Sequence, residues 1–134
     1  MENESLKEIA IKSVKYYENS WLSPQFTEHT TRESVIDCSG YFYAYALKLL
    51  QNFFKKTRDE AEQSISRLLT MTEESVPENI KMSMISNYNE VYISLLDKFK
   101  RGLDYGEESE SGFKIMLDTC AKIITSSIYW LEKN

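Results

Sequence analysis

Residues 35–54 read VIDCSGYFYAYALKLLQNFF, and the spacing of their apolar side chains decides the fold. Val35, Cys38, Phe42, Tyr45, Leu49 and Phe53 recur at intervals of three and four, which lays them along one side of an α-helix. Ile36, Tyr43, Leu47, Leu50 and Phe54 widen that stripe beyond the need of a surface helix. Burial on several sides is therefore expected, with this segment as the central helix of the molecule. Gly40 and Ala44, four residues apart, would let another backbone approach it closely. Asp37, Lys48, Gln51 and Asn52 make the stretch too polar to span a membrane.

Upstream, Thr30 or Thr31 can cap this helix. Ahead of it the periodicity lapses from Asn19 to Thr31, where Ser23-Pro24 ends any helix and Trp21, Leu22 and Phe26 suggest a loop lying against the body. A first helix is expected from about Ser5 to Glu18, carrying Leu6, Ile9, Ala10, Ile11, Val14 and Tyr17.

Downstream, Thr57-Arg58-Asp59-Glu60 matches a capping box, in which a Thr hydroxyl and a Glu carboxylate satisfy each other's backbone donors. A third helix with Ala61, Ile65, Leu68 and Leu69 follows, although periodicity alone also accepts one uninterrupted helix from 33 to 71. Ser75-Val76-Pro77-Glu78 is a second capping-box match with Pro77 in the first turn. The helix it opens carries Ile80, Met84, Val91, Leu95 and Phe99, gathers Lys98, Lys100 and Arg101 at its end, and stops at Gly102. After an acidic loop from Asp104 to Glu110, a last helix from about Ser111 to Lys133 repeats Met116, Cys120, Ile123 or Ile124, Ser127 and Leu131.

The chain has 4 Gly and 2 Pro, too little turn punctuation for a sandwich or barrel of short strands. No internal repeat, low-complexity run or linker divides it. The expectation is an all-α fold: residues 1–134 form a single-domain irregular antiparallel bundle of about five helices around the aromatic-rich second one.

Composition narrows the function classes. Of 134 residues, 42% are hydrophobic and 28% charged, which describes a folded globule and not a disordered tail. A net charge of −5 repels phosphate backbones and anionic lipid headgroups, so neither nucleic acid nor a membrane is expected as a partner, and a basic protein is. Cys38 and Cys120 lie in apolar helical patterns without CxxC spacing, as reduced core thiols would. The start of the chain, Met1 to Ser5, lacks the basic and apolar regions of a secretory signal, so a cytoplasmic location is expected.

Familiar chemistry is hard to assemble from these residues. His29 is the single histidine, and both HExxH zinc sites and paired Glu-x-x-His di-iron sites need a second. Gly40, Gly102, Gly106 and Gly112 are too scattered for a phosphate-cradling loop. Glu33 and Asp37 share a helical face, but near a helix N-terminus acids chiefly complement the dipole. The segment Asp104 to Glu110 fails the EF-hand spacing. No catalytic residue, cofactor or metal ligand is expected, and the chain is not expected to be an enzyme; the alternative is an unfamiliar site built from carboxylates and tyrosines.

Two surface features point to protein recognition instead. Acids concentrate at Asp104, Glu107, Glu108 and Glu110, at Asp59, Glu60 and Glu62, and at Glu73, Glu74 and Glu78. Tyr41, Tyr43 and Tyr45 alternate along one helix, and at about 100° per residue they cannot all face one core. Some rings are then available as contact surface, unless the bundle buries their bodies and leaves only hydroxyls wet. The expected partner-binding residues are Asp104, Tyr105, Glu107, Glu108, Glu110, Glu73, Glu74, Tyr41 and Tyr43.

Small size, helices, acidity and missing chemistry together are similar in general character to bacterial immunity proteins, which cap the active site of a toxin that is often a basic nuclease. The likeness is of type and transfers no residue. The expectation is a non-catalytic protein-binding module, an immunity or inhibitor protein acting through an acidic, tyrosine-rich surface. The alternative is a secretion chaperone, adaptor or regulatory subunit that uses an apolar interhelical groove, with homodimerisation as one form of it.

Overall fold

A computed structural model describes residues 30–104 and 110–134, which form α1 (Arg32–Asn52), α2 (Arg58–Ser75), α3 (Glu78–Ser86), α4 (Tyr88–Asp104) and α5 (Glu110–Lys133). Among these residues there is no strand, and the all-α bundle predicted from periodicity is the fold. The expected first helix, Ser5 to Glu18, and the irregular stretch with Trp21, Leu22, Phe26 and His29 lie outside the described residues.

The centre of the bundle is α5, not α1. It touches each of the other four helices. Phe113 meets Phe53 of α1 with ring centroids 4.2 Å apart, Ser127 meets Tyr88 of α4 at 2.9 Å, Lys81 of α3 lies over the Tyr129 ring at 4.9 Å, and Leu117 shares an apolar pocket with Leu68 of α2. Its buried set includes Ala121, Thr125, Ser126 and Ser127, small side chains that let neighbours approach. Their polarity hides this role in the sequence. The hydroxyls of Thr119, Ser126 and Ser127 donate to carbonyls of their own helix at 2.7, 3.0 and 2.8 Å, so burying them leaves no unmet donor.

The α1 stripe is as predicted: Val35, Cys38, Phe42, Tyr45 and Leu49 are buried and Phe53 partly so. The widening residues show that, among the described residues, α1 is less enclosed than α5. Leu47 and Leu50 are buried, but Ile36 is 49% exposed and Tyr43 and Phe54 are only half-buried. Phe99 of α4 packs edge-on against both Phe42 and Tyr45, with centroids 5.4 and 5.2 Å away. Such pairs contribute about 0.5–1.5 kcal/mol each beyond area burial.

Direction follows from these contacts. α1 runs antiparallel to α5, with Arg32 near the start of α1 donating to the Leu131 carbonyl at 3.0 Å near the end of α5. α4 is also antiparallel, whereas α2 runs parallel to α5: Leu68 lies beside Leu117, and Glu73 beside Tyr129.

Local chemistry sets the boundaries. Thr31 caps α1 in a reciprocal box with Ser34, each side chain accepting from the other's backbone N–H at 3.1 Å. The Thr57–Glu60 box is formed, with bonds of 3.1 and 2.9 Å, and hydrogen bonding from the Thr57 backbone N–H, then from its side chain, holds the Glu60 carboxyl below the usual carboxylate range. Between them Lys55 adopts φ +58° and the Lys56 N–H donates to the Leu50 carbonyl, so residues 33–71 are not one helix.

Three expectations are corrected. Ser75 does not cap the next helix: it ends α2, its hydroxyl donates to the Thr72 carbonyl at 3.0 Å, and α3 begins after Pro77 with no side-chain cap. The segment 78–101 is not one helix but breaks at Asn87 (φ −124°, ψ 44°). α3 addresses Tyr129 and α4 addresses Ser127, and two residues along α5 are about 200° around its axis, which one straight helix could not reach. Finally, α4 runs through Gly102 to Asp104, and it is Gly102 rather than Gly40 that permits close approach. A Cβ at Gly102 would lie 2.7 Å from Met116 Cγ, whereas one at Gly40 would meet nothing within 4 Å.

Candidate recognition surface

The expected partner-binding residues do not form one patch. Asp104 and Glu110 are exposed where α4 ends and α5 begins. Glu73 and Glu74 are exposed at the end of α2, beside the C-terminal part of α5. From Glu110 to Tyr129 the rise of α5 is about 28 Å, so the two acidic groups mark opposite poles of the bundle. Tyr105, Glu107 and Glu108 lie outside the described residues. Tyr41 and Tyr43 are half-buried on α1, while Tyr45, Tyr88, Tyr92 and Tyr129 are buried, so little tyrosine surface remains at these positions.

What the fold does bring together is Glu73, Glu78 and Glu132. All three are exposed, and all three act on the Tyr129 hydroxyl, whose pKa is raised first by burial and then by the charges of Glu73, Glu132 and Glu78. Lys81 lies over the ring of the same tyrosine. On α3, Ile80 and Met82 leave apolar surface exposed next to Lys81 in sequence, at 43% and 54%.

The placement of these acids is informative because much of it opposes helix stability. Glu33, Asp59, Glu60, Glu78 and Glu110 lie in first turns, where carboxylates complement the positive end of the helix dipole. Glu73 and Glu74 lie in the last turn of α2, which holds no basic residue, and Glu132 is near the end of α5. There a negative charge is unfavourable by about 0.3–1 kcal/mol. Glu132 and Tyr129 were missed from sequence; acids near the C-terminal end of a helix were the readable signal.

A groove runs between α3 and α4, with a volume of about 600 Å³. Ile80, Met84, Val91 and Leu95 supply its apolar surface, and Lys98 and Lys122 also line it.

Chemistry-bearing groups are few. Glu33 and Asp37 stand exposed on α1, and among the described residues no group of three or more His, Cys, Asp or Glu is arranged to hold a metal ion. Cys38 and Cys120 are free and buried. Burial pushes the Cys38 thiol up to about 12, although hydrogen bonds with Tyr92 and Tyr88 pull the other way, and burial drives Cys120 well above its ordinary value. Both are protonated at neutral pH, which suits packing and not nucleophilic attack.

No protein-family model matches this chain, and neither a curated protein nor a solved structure matches it significantly. No described helix is long and apolar enough to cross a membrane.

Proposed function

We propose that this chain is a non-catalytic, cytoplasmic recognition module that docks a basic partner protein on the pole formed by Glu73, Glu74, Glu78 and Glu132. The observation that carries the reading is the position of Glu73, Glu74 and Glu132 near helix C-termini, where they work against the dipole and where α2 offers no compensating base. Exposed Ile80 and Met82 add apolar contact area beside the charge. A toxin with a cationic active site, such as a bacterial nuclease, is the partner class that fits best: an acidic surface both steers the encounter and occupies the place of the substrate phosphate. Such a pair associates at a rate that falls steeply with added salt. Reversing Glu73 and Glu78 to Lys should slow association about tenfold at low salt and flatten its salt dependence; an unchanged rate would refute the proposal.

The groove between α3 and α4 favours a second reading, that of a chaperone or regulatory subunit holding an apolar segment of its partner or of a second copy. Substituting Ser94→Trp, at an exposed position that lines the groove, separates the two. It abolishes binding if the groove is the site, and it leaves the salt dependence of association intact if the acidic pole is.

A further inference from the structure

Between the end of α1, the middle of α2 and the N-terminal half of α5 lies an open apolar cleft of about 340 Å³. Leu50 comes from the end of α1 and Phe54 from just after it, Leu68 and Met71 from α2, and Leu117 from α5. The aliphatic stems of Lys56, Arg67 and Lys114 also line it, which leaves their charged ends at the rim, and no carboxylate lines it among the described residues. In a chain of net charge −5 this is an unusual local excess of cations. Each arrives from a different element. Lys56 follows the left-handed Lys55 in the connection between α1 and α2. Arg67 is exposed on α2, and Lys114 pairs with Glu110 at 2.9 Å between side chains that are both 65% exposed. A surface pair of that kind is weak and exchanges readily for another carboxylate. Met71, 60% exposed, leaves the mouth flexible and apolar.

We infer that this pocket binds a single-chain amphipathic carboxylate, with the alkyl chain against Leu50, Leu68 and Leu117 and the headgroup among Lys56, Arg67 and Lys114. The volume lies in the lower part of the range of small-molecule sites, and apolar walls with a few convergent charged groups are their usual composition. The apolar lining disfavours a bare inorganic anion. The three cations distinguish an acid from an alcohol of the same length.

The test is calorimetric titration of the full chain with decanoate below its micellar concentration, beside decanol, inorganic phosphate and vesicles containing anionic lipid. Decanoate should bind at least tenfold more tightly than decanol, and phosphate should not bind. Met71→Glu, at an exposed position that folding tolerates, should weaken decanoate about tenfold, and Leu117→Trp should abolish it by filling the pocket. NMR shifts on titration should centre on Leu50, Leu68 and Leu117 even if the Trp variant fails to fold. Equal affinity for decanoate and decanol, binding to vesicles without binding of monomeric decanoate, or shifts centred on the α3–α4 groove would each overturn the assignment.

Discussion

The hydroxyls of Tyr88 and Ser127 meet at 2.9 Å in the interior, joining the first turn of α4 to the buried face of α5. Ser127 also donates to the Ile123 carbonyl at 2.8 Å, so it keeps a hydrogen bond without Tyr88. Its ring also stacks on Tyr92 and lies tilted against Trp130, with centroids 6.3 and 5.8 Å away. Tyr88 thus fixes where α4 begins after the break at Asn87. Tyr88→Phe leaves Ser127 satisfied and should cost only about 1 kcal/mol, whereas Tyr88→Ala opens a cavity and should cost about 3–5 kcal/mol, both read from urea unfolding.

The two glycines with described surroundings should respond to alanine with opposite signs. At Gly102 the new methyl would lie 2.7 Å from Met116 Cγ and 3.2 Å from the Gly112 carbonyl, forcing α4 away from α5. A loss of about 1–3 kcal/mol is expected. At Gly40, exposed in the middle of α1 with open space around it, alanine should stabilise by about 0.5–1 kcal/mol. Thermal melting of the two variants checks the pair; a shift of the same sign in both would contradict the placement of α4 on α5.

Where the sequence was legible and where it was not follows from what each signal measures. Apolar periodicity reports a helix and its buried face, and the stripes on α1 and α5 were read correctly from Val35 to Leu49 and from Met116 to Ser127. It does not report rank within the bundle. α1 looked central because its aromatic residues are conspicuous, yet Ile36 and Tyr43 keep surface exposed, while α5 conceals its burial behind Ser and Thr hydroxyls that bond their own backbone. The break at Asn87 was invisible for the same reason: it answers to which side of α5 each half must reach. At the candidate site, Glu73, Glu74 and Glu78 were named, but Glu132 joins them only through the parallel packing of α2 on α5.

Lys55 is held at φ +58°, a left-handed conformation that costs a residue with a Cβ about 1–2 kcal/mol. Lys55→Gly should relieve part of this and raise stability by about 0.5–1 kcal/mol in denaturant unfolding. Lys55→Val should lower it, since a β-branched side chain tolerates this region least.

The buried thiols make stability fall at alkaline pH. Below the ordinary value of 9.0 the Cys38 thiol is protonated in both states and contributes no slope; above it the unfolded chain releases its proton while the folded chain holds on until about 12. The unfolded state then binds fewer protons, so stability declines through that window. Cys120 adds to the effect in the same direction. Unfolding measured at pH 8 and pH 10.5 should show a smaller loss in a Cys38→Ala, Cys120→Ala variant than in the parent chain, and neither thiol should react with iodoacetamide before unfolding.

The central claim is that recognition resides at the acidic pole. Quantitative affinity purification from the source cells can compare the parent chain with two charge-matched variants: Glu73→Lys, Glu78→Lys, Glu132→Lys at that pole, and Asp59→Lys, Asp104→Lys, Glu110→Lys away from it. All six side chains are exposed, so both variants should fold, the second somewhat less stably because Asp59 and Glu110 complement helix N-termini. The prediction is one basic partner that the parent and the second variant retain and the first loses, with an association rate in the purified pair that falls steeply with salt. A partner retained by the first variant, or lost only from the second, would contradict it.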